Sequence, residues 1–173
     1  MKKKETISLK IFGIELLERK RRNLDKMNRL FLILSFLIYK ILKIFDIFFH
    51  KITRRSFLIW FSEFMEKDSY KKIKVLDKDV KFFTPNYITN FLINEFYTKE
   101  PETLDWINSF KNTENKIIFW DIGANIGIYS IYAALKYPNL EVVSFEPSTS
   151  NLRVLTRNIS INKLEERVKV NQF

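Results

Sequence analysis

The sequence predicts an α/β protein, with a parallel sheet preceded by a helical N-terminal extension. Three observations predict it. From Ile117 onward, short apolar runs with β-type side chains alternate with segments of helical length. Two of the three glycines, Gly123 and Gly127, sit in one turn between such a run and such a segment. Positive charge is concentrated at the start: Met1 to Trp60 holds 15 Lys/Arg and 5 Asp/Glu, whereas the remainder holds 15 of each.

In chain order, Met1 to Arg29 is charge-rich, with Lys2-Lys3-Lys4 and Arg19-Lys20-Arg21-Arg22. Leu30 to Ile38 follows and is apolar except for Ser35. Beyond Tyr39, Lys40, Lys43, Asp46 and His50 recur every three or four residues, which places them on one helical face. Ile41, Leu42, Ile44, Phe45, Phe48 and Phe49 occupy the opposite side. A spanning helix needs about 20 apolar residues, and the uninterrupted run is about half that. Three arrangements remain open: an interfacial amphipathic helix, a helix packed on the protein or on a partner subunit, and a spanning helix. Peripheral membrane contact is assigned to residues 27–55. No small-residue cleavage pattern follows the apolar run, which argues against a secretory signal peptide. The basic excess reads either as a solvated tail or as attraction to an anionic surface. A nucleic-acid interface is not expected, because the part that carries the candidate pocket is neutral.

Residues 60–72 read as a helix end and linker. Ile73–Leu76 and Val80–Phe83 read as a hairpin around Asp77-Lys78-Asp79. Helices are predicted over 86–97 and 101–110, the second opened by Pro101, whose fixed φ suits a first turn. A polar loop covers 111–116. Strands then follow at 117–120, 141–145 and 168–172, with helices at 126–137 and 150–162 between them. Strands and helices in this alternation imply parallel strands joined by crossovers. The predicted organisation is a basic helical extension over 1–72, a hairpin and helices over 73–116, and the sheet over 117–173.

The chain has no cysteine and one histidine, His50. Disulfides, thiolate metal sites and Ser/His or Cys/His catalysis are therefore not expected, and no metal is assigned. The candidate chemistry lies at the carboxyl ends of two successive strands, where open α/β sheets bind ligands. Asp121 ends the first and Glu146 the second, with one crossover helix between them. Gly123, Ala124, Asn125 and Gly127 form the turn after Asp121. Glycine permits positive φ or close approach of a ligand, and asparagine tolerates unusual backbone angles. A terminal carboxylate can accept hydrogen bonds from both hydroxyls of a ribose. A dinucleotide turn wants G-x-G-x-x-G, but Asn125 and Ile128 occupy its later glycine positions. The P-loop Gly-Lys-Ser/Thr is absent. An acidic residue opening the turn suits a positively charged nucleoside, which points to S-adenosylmethionine. Tyr129 and Tyr132 could approach the pocket mouth, and they are assigned to core packing on the crossover helix.

Asp121-Ile-Gly-Ala-Asn-Ile-Gly-Ile-Tyr-Ser130, Val143-Ser-Phe-Glu-Pro147, Asn151-Leu and Asn158-Ile-Ser-Ile-Asn162 together resemble FkbM-type S-adenosylmethionine-dependent methyltransferases. Lys99 to Ile107 is similar to a segment that precedes the nucleotide fold in some members. The resemblance covers about Phe82 to Phe173. It implies a Rossmann-like class I methyltransferase fold of strand order 3-2-1-4-5-7-6, of which the chain would hold the first three parallel strands. It further implies O-methylation, with a small-molecule or glycan acceptor such as a sugar hydroxyl. By motif position, Asp121, Gly123, Asn125 and Gly127 would line the methionine and ribose side, and Glu146 would hold the ribose. The family's sheet has about seven strands, so the expectation is a fragment, inactive alone. The alternative is a non-catalytic fragment that associates with a membrane or partner. The expected location is cytoplasmic, peripheral at the inner face of the membrane. Asn158-Ile159-Ser160 also matches a glycosylation sequon, and its place in a predicted helix makes that match fortuitous.

Overall fold

A computed structural model describes residues 26–172. The basic clusters at 2–4 and 19–22 lie outside the described residues. The described residues divide into two compact units, with the boundary between Phe61 and Ser62.

In the first unit, α1 runs without interruption from Lys26 to Thr53. Neither glycine nor proline falls within it, and Leu, Ile, Phe and Lys carry the period. The predicted helical pattern is thus one helix of 28 residues. Among the described residues, no helix is long and apolar enough to cross a membrane. Arg54, at φ 59°, turns the chain, and α2 (Leu58–Asp68) follows, running across the boundary between the units. Asp46 fixes the turn. Its carboxylate accepts from Ser56 Oγ at 2.9 Å and from the Phe57 amide at 2.8 Å, so it caps α2 from the preceding helix. The Phe57 ring meets Phe45 edge-on at 5.5 Å.

In the second unit, β1 (Tyr70–Val75) and β2 (Lys78–Phe83) form an antiparallel hairpin. The turn is Leu76-Asp77, shorter than the predicted Asp77–Asp79. Val75 pairs with Lys78, and both turn residues have positive φ. A two-residue loop of this kind matches the twist of the strands, so Lys78 and Asp79 join β2. Next come α3 (Tyr87–Asn94) and α4 (Pro101–Asn108). Asn86 and Thr89 close α3 with reciprocal side-chain-to-backbone bonds, and Pro101 opens α4 as predicted.

The sheet consists of β3 (Ile117–Ile122), β4 (Leu140–Phe145) and β5 (Val168–Asn171), joined by α5 (Ile128–Lys136) and α6 (Thr149–Ile161). All three strands are parallel, in the order β3-β4-β5. This is the predicted α/β fold, a partial Rossmann-like sheet. Alternation sorts its faces. Phe119, Asp121, Val142, Ser144 and Val168 are buried in a core shared with the hairpin and helices. Ile118, Trp120 and Ile122 point the other way and are exposed.

Two asparagines of α6 lock the hairpin to this core. Asn158 is fully buried: its Oδ1 accepts from the Phe83 amide at 2.7 Å and its Nδ2 donates to the Ile126 carbonyl at 2.9 Å. One turn later, Asn162 accepts from the Lys81 amide and donates to the Lys81 carbonyl. The pair does for the free edge of β2 what a neighbouring strand would do. Burial also removes Asn158 from solvent, in keeping with the fortuitous reading of its sequon.

Candidate functional site

The site is built on the turn between β3 and α5. Gly123 (φ 78°), Asn125 (φ 53°) and Gly127 (φ 85°) are all left-handed. Two are glycine, and Asn125 is of the type that visits this region at low cost. Gly127 caps α5, so that helix begins at Ile128 rather than at the predicted 126. The amides of Gly123 and Ala124 both donate to the Phe145 carbonyl, at 2.8 and 2.9 Å. The turn is therefore pinned to the end of β4.

Glu146 completes that attachment. Its Oε2 accepts from the Asn125 amide at 2.7 Å, and its Oε1 accepts from the Ser148 amide at 2.9 Å and from Asn151 Nδ2 at 3.2 Å. One buried carboxylate thus joins the glycine turn to the start of α6. An ionised carboxylate has about four acceptor positions. With three donors in place, one acceptor position takes no hydrogen bond among the described residues.

The two glycines do different work. A Cβ on Gly127 would lie 2.5 Å from Leu155 Cδ1 in the core, so Gly127 allows α5 and α6 to approach. A Cβ on Gly123 would meet nothing within 4 Å. Gly123 borders a cleft of about 140 Å³ together with Ala124, Asn125 and Tyr129. Phe96 and Glu100, from the segments around α3 and α4, form the facing wall. Of the six predicted site residues, Gly123, Ala124 and Asn125 line this cleft. Glu146 supports the turn behind it, Gly127 packs beneath it, and Asp121 lies on the buried face of the sheet.

Asp121 takes a hydrogen bond from Ser130 Oγ, which in turn contacts Ser144 Oγ at 2.7 Å. Burial pushes the Asp121 carboxyl up from its ordinary value. The bonds from Ser130 oppose that rise, and the nearby charge of Glu146 adds to it. The folded protein therefore holds this proton more tightly than the unfolded chain does. Stability falls as pH rises from the unfolded value, near 3.8, toward the raised one. Asp121→Asn, which still accepts from Ser130, is expected to flatten this acid-side slope and to leave the protein at least as stable at neutral pH. Urea titrations of both forms across the acid range will show whether the slope belongs to Asp121.

Glu100 and Tyr129 were not selected from the sequence as site residues. Tyr129 Oη donates to Glu100 Oε2 at 2.8 Å, and Lys99 Nζ meets Glu100 Oε1 at 2.6 Å. The Lys99 bond, followed by that from Tyr129, holds the Glu100 carboxyl below its ordinary range. Burial first, and then Glu100, pushes the Tyr129 hydroxyl up. Tyr132 is buried as expected and bonds Asn108, and Tyr129 is half-buried, packing against the core as expected while it also borders the cleft. The available signal was Glu100-Pro101, an acid fixed at a helix start, 29 residues before the tyrosine it meets. The walls combine open backbone at Gly123 with Glu95, Glu100 and the Lys99 that pairs with Glu100, so the cleft offers hydrogen-bonding and charged groups of both signs to a ligand.

No family model matches the chain. It is 33% identical over 82 residues to the methyltransferase sdnD of Sordaria araneosa, a match covering 47% of this chain and 29% of that protein. The chain therefore spans less than a third of that curated relative. Among solved structures, the C-terminal domain of precorrin-6Y C5,15-methyltransferase from Rhodobacter capsulatus aligns at 22% identity. That alignment covers 44% of this chain and 40% of the other, with a TM-score of 0.38. An O-methyltransferase family protein from Burkholderia thailandensis aligns at 14% identity over 48% of this chain and 24% of its own, with a TM-score of 0.39. The fold assignment rests on the parallel sheet and its crossovers.

Proposed function

We propose that this chain contributes the cofactor-binding part of an S-adenosylmethionine-dependent methyltransferase of FkbM type. The acceptor is a hydroxyl oxygen of a small molecule or glycan, such as a sugar hydroxyl. One observation carries the reading. At the carboxyl ends of adjacent parallel strands, an open glycine position borders a cleft while Glu146 holds the same turn with one acceptor position to spare. The sequence match to a curated methyltransferase supports it.

The residues fit the cofactor in chemistry. The remaining acceptor position of Glu146 suits a ribose hydroxyl. The bare Cα of Gly123 admits close approach, and Glu100, paired with Lys99, puts a carboxylate on the wall of the cleft. When bound, S-adenosylmethionine supplies an electrophilic methyl group on a sulfonium. The chain's own task is to position that group, since bringing reactants into line removes much of the barrier to a displacement. Small-molecule sites usually enclose about 300–1,000 Å³, so a 140 Å³ cleft is assigned as one wall of the site. Ligand binding, rather than turnover, is what this chain alone is expected to show. The proposed location is cytoplasmic and peripheral at the inner face of the membrane.

A second reading is a non-catalytic fragment that associates with a membrane or a partner, which the exposed Ile118, Trp120 and Ile122 favour. Thermal unfolding with S-adenosylmethionine, S-adenosylhomocysteine or NAD present separates the two. The methyltransferase reading predicts a raised midpoint with the first two and none with NAD. A well-folded sample that responds to none of them supports the second reading.

A further inference from the structure

The helix α1 presents a surface that the cofactor site does not use. At 28 residues it is about 42 Å long, from a rise of about 1.5 Å per residue. Leu34, Ile38, Ile41, Phe45, Phe48 and Ile52 follow one another at spacings of three and four, which places them on one face along the helix. All six are exposed, from 45% at Leu34 to 69% at Ile52. The other side carries Arg29, Lys40, Lys43 and Lys51, also exposed. Its acid, Asp46, is engaged in capping α2. The polar face is therefore basic.

The same spacing would suit a coiled-coil seam with a second copy. Two features argue against that occupant. The positions flanking the seam include Leu30, Leu37, Leu42 and Ile44, where a coiled coil would carry charges that set pairing. Between Leu30 and Ile38 the helix is also apolar on its remaining sides, at Leu32, Ile33 and Phe36. A two-stranded seam would leave the flanking Leu30, Leu37, Leu42 and Ile44 in water at its margins, whereas an acyl boundary takes in the whole of that wide face.

A spanning arrangement fails on length. The uncharged stretch from Leu30 to Tyr39 is ten residues, about 15 Å, against a hydrocarbon core of about 30 Å. Lys40 and Lys43 would fall inside that core.

We propose that α1 lies in the plane of an anionic phospholipid surface, with the face through Leu34, Ile41 and Phe48 in the acyl boundary. Leu30–Tyr39 is the most deeply seated part. Arg29, Lys40, Lys43 and Lys51 reach the headgroups, their stems lying along the apolar boundary. Charge complementarity selects anionic lipid over neutral lipid, at a Debye-screened range. This goes beyond peripheral location by naming the helix, its buried face and the lipid charge. It does not rest on the methyltransferase reading, since vesicle partitioning requires no cofactor.

The test is flotation of the full chain with vesicles of phosphatidylcholine alone or mixed with phosphatidylglycerol. Partitioning is expected onto the mixed vesicles and should weaken as salt rises. Lys40→Glu with Lys43→Glu is expected to weaken it about tenfold or more, from the loss of attraction per basic residue near an anionic surface. Ile38→Asp with Ile41→Asp is expected to abolish it, with helix content checked by circular dichroism. Equal binding to both vesicle types, or binding unchanged in the lysine variant, overturns the electrostatic part. A folded chain that ignores both vesicle types and sediments as a dimer assigns the face to a second copy and overturns the proposal.

Discussion

Asn158→Ala is expected to lower the stability of the sheet-bearing unit by about 2–5 kcal/mol, from two buried backbone groups each losing its partner. The Phe83 amide and the Ile126 carbonyl are tied by this one side chain, which is fully buried. Alanine supplies neither bond. Asn158→Asp keeps the acceptor for Phe83 and loses the donor to Ile126, so it should not restore the native midpoint. Asn162→Ala, whose bonds to Lys81 are exposed, should cost less than Asn158→Ala because water can take over there. Urea unfolding of the three variants measures this order. Equal midpoints for Asn158→Ala and the parent protein would mean that the clamp contributes nothing. Ile126 belongs to the segment that closes the glycine turn, so ligand affinity should fall together with stability in Asn158→Ala.

The second large effect is expected at Gly127. An alanine there must hold φ near 85° and place its Cβ 2.5 Å from Leu155 Cδ1. The left-handed conformation costs about 1–2 kcal/mol for a residue with a side chain, and overpacking adds about 1–3 kcal/mol. Leu155 is itself fully buried, so it can yield only by displacing its neighbours. Gly123→Ala carries the same kind of backbone cost without the collision, since nothing lies within 4 Å of the added carbon. It should therefore be the milder variant in stability, yet it puts a methyl group into the cleft. The expected pattern is that Gly127→Ala loses more stability and Gly123→Ala loses more ligand affinity per unit of stability lost. Thermal unfolding and ligand titration of the two variants, side by side, test that division of labour.

The parallel sheet was legible because its signals are local. The run Ile117–Trp120, the glycine turn and the run ending at Phe145 each declare themselves within a few residues, and β3, α5, β4, α6 and β5 follow in the predicted order. The ends were less legible. α5 starts at Ile128 because Gly127 takes a left-handed cap, and periodicity does not register a single backbone angle. The hairpin turn moved for the same reason, since positive φ at Leu76 and Asp77 is not announced by a leucine. At the site, the sequence brought Asp121, Glu146 and the glycines to one end of the sheet. It did not say which way each side chain turns. Strand alternation places Asp121 on the buried face with Ser130 and Ser144, and Glu146 turns to the amide of Asn125. Glu100 and Tyr129 stayed hidden because their contact depends on how the segment between α3 and α4 crosses the start of α5. The paired asparagines of α6 were visible as part of a resemblance, but their work on β2 required the packed structure.

The central claim is that the turn from Gly123 to Gly127, held by Glu146, binds the nucleoside part of S-adenosylmethionine. Calorimetric titration of S-adenosylhomocysteine into the parent protein and into Glu146→Gln tests it most directly, with the fold of both verified by circular dichroism. The account predicts saturable one-to-one binding to the parent and at least tenfold weaker binding to the variant, the equivalent of about 1.4 kcal/mol. Absence of binding by the folded parent, or equal affinity in a folded Glu146→Gln protein, would contradict it.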